Sequence, residues 1–247
     1  MTLLPLAGRR VVITRAADQA APLVRLLIGV GAEPIVIPLI QIVEPSDGGA
    51  ARDDALGRLA DFDWLVVTSP NGAERVRQAV AGLDRDRPRL AAVGSATADA
   101  LGIAADLVPN DHIATGLLAE FPSGSGRVLI AQAETAQPDL AVGLAAKGWQ
   151  VDVVATYRTV PTRPHGASGS AMLLDALAAD AVLFASGSAV RAWADVLGDA
   201  TPPVVIAIGP ATAEVAQRLG LKVSAVSADH SLRGLVDCLL GYLVGRG

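Results

Sequence analysis

The chain has 247 residues, 51% of them hydrophobic and 18% charged, with a net charge of −5. This composition excludes a disordered polypeptide, and an aromatic content of 3% with no basic run excludes a surface that reads nucleic acid. No apolar run is long enough to span a membrane, and one cysteine (Cys238) with three scattered histidines (112, 165 and 230) supplies neither a disulfide nor a metal-ligand set, so a soluble cytoplasmic protein is expected.

Arg10-Val11-Val12-Ile13-Thr14 reads as a buried strand ending at Arg15. Leu23, Leu26, Leu27 and Val30 then recur at helical spacing until Gly31. Ile35-Val36-Ile37 is a second strand, closed by Pro38, and Leu39 to Val43 continues extended. A short helix runs to about Ala60, followed by the strand Trp64-Leu65-Val66-Val67 and the turn Thr68-Ser69-Pro70-Asn71-Gly72. The next helix reaches about Ala81, and Asp84 to Pro88 is a charged loop. Ala91-Ala92-Val93 is a strand that turns at Gly94 into a helix carrying Ser95 and Thr97, residue types that cap helix starts. A strand near Leu107-Val108, a helix over Leu117 to Phe121 and a flexible break at Pro122 to Gly126 follow.

The pattern then restarts. Arg127-Val128-Leu129-Ile130 repeats Arg10-Val11-Val12-Ile13, 117 residues on (127 − 10). Leu140, Leu144 and Gly148 answer Leu23, Leu27 and Gly31, and Asp180 and Ser186 answer Asp63 and Ser69, at the same offset. Gly209 and Thr212 echo Gly94 and Thr97 at 115 (209 − 94), while Asp229-His230 echoes Asp111-His112 at 118 (229 − 111). A period near 117 is too long for a solenoid unit and fits a duplicated small domain. Strands alternating with helices imply parallel sheets flanked by helices, with any ligand outside the carboxyl ends of the strands. Two such loop-bearing edges would face a shared cleft. The repeat alone would cut the chain near residue 120.

No glycine-rich dinucleotide fingerprint, phosphate loop or zinc helix is present. Ser186 in Phe184-Ala185-Ser186-Gly187-Ser188 resembles half of a nucleophile elbow but has no histidine partner. His112 and His230 stand before helices, where capping or solvent exposure is expected rather than catalysis. What remains is a set of neutral donors beside glycine turns, namely Ser69, Asn71, Thr97, Ser186, Ser188 and Thr212, with Arg15 at the end of the first strand. Such a set suits a polyanion held by backbone N–H groups and hydroxyls, even in an acidic protein. Tyr157, in Ala155-Thr156-Tyr157-Arg158-Thr159, is expected just after a strand and stands opposite Ile40 in the repeat. Its phenol can donate a proton at neutral pH. A tyrosine packing across a linker is the alternative.

Val12-Ile13-Thr14-Arg15, Ile37-Pro38-Leu39-Ile40, Thr68-Ser69-Pro70-Asn71, Val93-Gly94-Ser95-Ala96-Thr97-Ala98, Tyr157-Arg158-Thr159 and Ile208-Gly209-Pro210-Ala211-Thr212-Ala213, in that order, resemble the uroporphyrinogen-III synthase family over essentially the whole chain. The resemblance implies two similar α/β domains joined by a two-stranded linker. Residues 1–39 with 160–247 would form the first, 42–157 the second, and 39–43 with 156–160 the linker. It implies cyclisation of hydroxymethylbilane, a tetrapyrrole with eight carboxylates, with inversion of its last ring, loss of water, and no metal or organic cofactor. Tyr157 would be the proton donor. Arg15, Ser69, Asn71, Gly94, Thr97, Ser186, Gly187, Ser188, Gly209 and Thr212 would hold the substrate. The expected partners are this substrate and a transient contact with hydroxymethylbilane synthase, with no nucleic acid, no membrane and a monomeric state. Gln132, Ala133 and Gln137 stand where the family often carries arginine and glycine, which puts a basic contact from that side in question and shifts the expected weight of binding toward the other domain. The other readings are a two-domain module binding a small anion and a paralogue that kept the fold without the activity.

Overall fold

The computed structural model describes residues 4–83 and 87–245. In chain order the elements are β1 (Arg10–Ile13), α1 (Ala21–Gly29), β2 (Glu33–Val36), β3 (Ile40–Val43), α2 (Ala50–Gly57), β4 (Trp64–Val67), α3 (Pro70–Ala81), β5 (Arg89–Ala92), α4 (Ser95–Leu101) and α5 (Ala114–Glu120). They continue with β6 (Arg127–Ala133), α6 (Asp139–Ala146), β7 (Gln150–Pro161), α7 (Gly166–Leu177), β8 (Ala181–Phe184), α8 (Gly187–Leu197), β9 (Val204–Ala207), α9 (Pro210–Arg218), β10 (Ala225–Val226) and α10 (Leu232–Val244). The strands form two sheets, β10-β9-β8-β1-β2 and β3-β7-β6-β4-β5. Every pairing of β1, β2, β8, β9 and β10, and of β4 with β5 and β6 and of β6 with β7, is parallel. This is the α/β architecture expected from the alternating pattern.

Burial on both faces explains why these strands are continuous apolar runs. In the second sheet Leu65, Val67, Leu90, Leu129 and Ala131 pack on one side with Val76 and Val80 of α3 and Leu101 of α4. Trp64, Val66, Ala91, Val128 and Ile130 pack on the other with Leu117, Phe121, Leu140 and Leu144 of α5 and α6 or their ends. In the first sheet Val11, Ile13, Leu183 and Ile206 meet Leu23 and Leu27 of α1 and Leu235 and Leu239 of α10. Phe184 lies edge-on to Trp193 of α8, 5.7 Å between ring centres. A fully buried Val, Leu, Ile or Phe contributes roughly 1.5–3 kcal/mol, so the two cores are the main source of stability.

The chain separates into two compact units: everything up to Gln41 together with everything from Thr159, and Ile42–Arg158. The chain passes from one to the other within β3 and within β7, which are hydrogen-bonded neighbours. No division falls near 120, where the repeat alone would cut. The reason is in the pairing. β1 of the first copy lies beside β8 of the second, and β4 of the first beside β6 of the second, so each sheet mixes both copies. The mixing is written twice in hydrogen bonds. Arg10 N–H donates to Asp180 Oδ2 and Arg127 N–H to Asp63 Oδ2, each at 2.8 Å. Burial works against ionisation of Asp180, but the Arg10 N–H and the Arg9 guanidinium outweigh it and hold the carboxyl below the usual carboxylate range.

Several local expectations change. Tyr157 lies inside β7, because the strand runs on to Pro161. The strand near Leu107-Val108 reduces to a single bridge from Leu107 to Ala91. α2 stops at Gly57, and a 3-10 turn covers Leu59–Asp61. Of the charged loop at 84–88, residues 84–86 lie outside the described ones. No helix among the described residues is long and apolar enough to cross a membrane.

Candidate functional site

In each unit the hydroxyl and glycine turns follow adjacent parallel strands and therefore share one sheet edge. In the second unit Ser69 and Asn71 follow β4, and Gly94 and Thr97 follow β5, its neighbour. In the first, Arg15 follows β1, Ser186, Gly187 and Ser188 follow β8, and Gly209 and Thr212 follow β9, in the side-by-side order β9-β8-β1.

Ser69 Oγ caps α3 by accepting from Gly72 N–H at 3.1 Å, and Ser186 Oγ caps α8 by accepting from Ala189 N–H at 3.2 Å. A hydroxyl that accepts in this way keeps its own hydrogen for a carboxylate. The turns at Gly94 and Gly209 are built differently from the expected caps. The glycines themselves are the N-cap residues of α4 and α9, with no side-chain cap, so neither Ser95 nor a threonine fills that role. Both are fully extended, at φ −170° and −172°, a conformation open to any residue. A close neighbour favours glycine at each turn instead. A Cβ at Gly94 would lie 3.0 Å from His112 Cβ, and one at Gly209 would lie 3.0 Å from His230 Cδ2. The two histidines thus do not cap α5 or α10, whose N-caps are Ile113 and Ser231. They close over the glycine turns, one in each unit, and the offset of 118 is the signal in the sequence that marks them as equivalent. Thr97 and Thr212 are buried at the first turn of their helices, at 2% and 6% exposure. Arg15 donates from Nε to the Gln19 carbonyl at 3.1 Å and from Nη2 to Gln19 Oε1 at 3.3 Å, so its guanidinium is seated on its own loop.

Tyr157 is 7% exposed. The Arg75 guanidinium carbon lies 5.6 Å from its ring centre. Around this pair, within the second unit, the structure assembles groups that the motifs do not single out. Glu44 Oε2 receives Arg52 Nη1 at 2.6 Å, and Glu44 Oε1 is 3.7 Å from Arg75 Nε. Arg158 Nε donates to the Glu44 carbonyl at 3.1 Å, and Arg52 Nη1 reaches the Thr156 carbonyl at 3.4 Å. Bonds to Asp53 and Glu44 hold Arg52 above its ordinary range. Thr156 is fully buried, and its hydroxyl donates to the Gln132 carbonyl at 3.1 Å. Gln132 itself is buried in β6, beside the register shift at Gln132 and Ala133, while Gln137 is exposed. The cations of the Tyr157 cluster, Arg52, Arg75 and Arg158, come from α2, α3 and β7 rather than from the end of β6. Motif reading does not reach them, because Glu44, Arg52, Arg75 and Tyr157 come together only in the fold. One cue is present in the sequence: Arg75 stands four residues after Asn71, on the same helical face.

Comparison with known proteins gives these turns a context. The family model described as Uroporphyrinogen-III synthase HemD matches residues 21–237. The uroporphyrinogen-III synthase of Synechococcus elongatus is 29% identical over 252 aligned positions, covering 94% of each chain. The chloroplastic uroporphyrinogen-III synthase of Oryza sativa subsp. japonica is 28% identical, covering 96% of this chain and 82% of its own. Among solved structures, a mutant uroporphyrinogen III synthase from the extremely thermophilic bacterium Thermus thermophilus aligns with a TM-score of 0.66 at 22% identity, over 96% of this chain and all of that one, which bears on the fold alone. With two parallel sheets, a loop-bearing edge in each unit and a match across nearly its whole length, the chain belongs to the uroporphyrinogen-III synthase family.

Proposed function

We propose that the chain cyclises hydroxymethylbilane to uroporphyrinogen III, inverting the last pyrrole ring and releasing one water. The observation that carries this reading is the family match over 21–237. Supporting it, each unit lines one sheet edge with neutral donors suited to carboxylates. Under this reading Arg15, Ser69, Asn71, Gly94, Thr97, Ser186, Gly187, Ser188, Gly209 and Thr212 bind the substrate's carboxylates through side chains and main chain. Tyr157 protonates the departing hydroxyl, which leaves as water and creates an azafulvene cation. The substituted carbon of the last pyrrole attacks that cation, and the spiro intermediate fragments and recloses with the ring turned over. The proton given up by Tyr157 is recovered when the closing carbon loses its hydrogen. The substrate closes uninverted without help, so holding it in one folded conformation is the larger part of the task. No metal or organic cofactor is called for by these steps.

The domain division we propose is 1–39 with 160–247 and 42–157, with 39–43 and 156–160 as linker strands. The compact units dividing at Gln41/Ile42 and Arg158/Thr159 support it. A cytoplasmic monomer, receiving substrate through a transient contact with hydroxymethylbilane synthase, completes the proposal. The test is to supply freshly generated hydroxymethylbilane, oxidise the products and separate isomers I and III. Isomer III in excess is expected. Isomer I alone would leave an anion-binding module or an inactive paralogue.

A further inference from the structure

We propose that Arg75 is a positioning residue for Tyr157, fixing the plane of its ring and so the direction in which its hydroxyl points. The proposal rests on the assignment of Tyr157 as proton donor and deepens it. One guanidinium touches three separate parts of the second unit. It lies over the Tyr157 ring of β7 at 5.6 Å, donates from Nη1 to the Asn71 carbonyl at 3.2 Å in the first turn of α3, and faces Glu44, just past β3, at 3.7 Å. Only a planar fork can lie against a ring and reach two acceptors at once.

Arg75 Nε is also the one buried side-chain nitrogen or oxygen among the described residues that makes no hydrogen bond. Buried polar groups are nearly always hydrogen-bonded, whereas this nitrogen faces Glu44 Oε1 at 3.7 Å, an ion-pair distance too long for a hydrogen bond. The guanidinium is thus held by charge and by the Tyr157 ring as well as by its bond to the Asn71 carbonyl.

The duplication supplies an internal control. At the 117-residue offset, Arg75 corresponds to Ala192, Tyr157 to Ile40 and Glu44 to Pro161. None of the three has its counterpart in the other copy, whereas the serine caps and the glycine turns are kept in both. Ala192 is buried in α8, and Ile40 is buried in β3. Both positions are thus filled by buried apolar side chains in the other copy, and Arg75, Tyr157 and Glu44 occur together as a set.

The experiment compares the full-length wild type with Arg75→Met, Tyr157→Phe and the double variant. It measures kcat and KM for isomer III, and the tyrosine ring signals in 13C-tyrosine-labelled protein. The chain has two tyrosines, so the signal lost in Tyr157→Phe assigns the ring directly. Arg75→Met should lower kcat about tenfold, as misaligning a reacting group does, with KM within about twofold. The double variant should be no slower than Tyr157→Phe, and Arg75→Met should move the Tyr157 signal while leaving that of Tyr242. Multiplicative losses in the double variant, or an unmoved Tyr157 signal, overturn the proposal. Should Arg75→Met fail to fold, Arg75→Lys carries the same measurements, since it keeps the charge and loses the fork. A wild type that yields only isomer I overturns the assigned reaction instead, and the ring signal still decides whether Arg75 orders Tyr157.

Discussion

In the second unit Ser69 caps α3 through the Gly72 N–H at 3.1 Å; in the first, Ser186 caps α8 through the Ala189 N–H at 3.2 Å. Gly94 and Gly209 each lie under a histidine, and Gly116 and Gly234 each lie against the carbonyl of an aspartate five residues earlier. Beyond these shared parts the units diverge at one corner. There the second unit gathers Tyr157, Arg75, Glu44 and Arg52, while the first has Ile40, Ala192 and Pro161 at the matching positions of the first three. What was kept in both copies is backbone geometry, which any carboxylate can use. What differs is charged and phenolic, drawn from both copies, and belongs to one unit. Under the proposed function, the binding turns are common to both units and the proton donor stands in one.

The sharpest way to break that comparison is at its most unequal position. Tyr157→Phe should lower the rate of isomer III formation by about 10²-fold, the lower range for losing a general acid. Ile40→Val, at the matching position, should leave the rate within about twofold, because losing one methyl group removes no reacting group. Equal losses at both would end the proposal that one unit carries the chemistry. Next in size is a stability effect that should be the same in both units. A Cβ at Gly116 would overlap the Asp111 carbonyl and lie 2.7 Å from Asp111 Cβ, and one at Gly234 would do the same against Asp229, also at 2.7 Å. Gly116→Ala and Gly234→Ala should each cost about 1–3 kcal/mol, the usual penalty of forced overpacking, measured by calorimetry. A loss confined to one would show that the two turns are not equivalent. The smallest effect is at the caps. Ser69→Ala and Ser186→Ala should each remove about 1 kcal/mol, read as a shift in denaturation midpoint, and any large inequality would point to a second role for the serine that matters more.

The strands are legible in the sequence because β4, β6, β8 and β9 are buried on both faces and so appear as unbroken apolar runs. The duplication is legible because glycine, serine and aspartate recur at nearly constant offsets. The crossing of the two copies is not legible from the repeat, since equal offsets say which residues correspond and nothing about which strands pair. It enters through the family resemblance, and the β1–β8 and β4–β6 pairings bear out the two-domain fold it implies. At the sheet edges, the neutral donors are visible as turn residues. Tyr157 stands out because tyrosine is rare here, but its place inside β7 does not, because Arg158, Thr159 and Pro161 look like the end of a strand. Arg75 and Glu44 are invisible as a pair: they stand 31 positions apart (75 − 44), and only the fold brings the α3 side chain to 3.7 Å from Glu44.

The pairing of β1 with β8 also sets an order of events during synthesis. Val11 needs Ala181 as its neighbour, and 170 residues of chain (181 − 11) must be made between the two. At 5–20 residues per second that is about 10–30 s. Meanwhile 42–158 emerges as one continuous piece that can finish its own sheet. The amino-terminal forty residues therefore leave the ribosome early and wait longest, with the apolar edge of β1 uncovered, so any chaperone demand made by this protein should fall on its first strands rather than on its last.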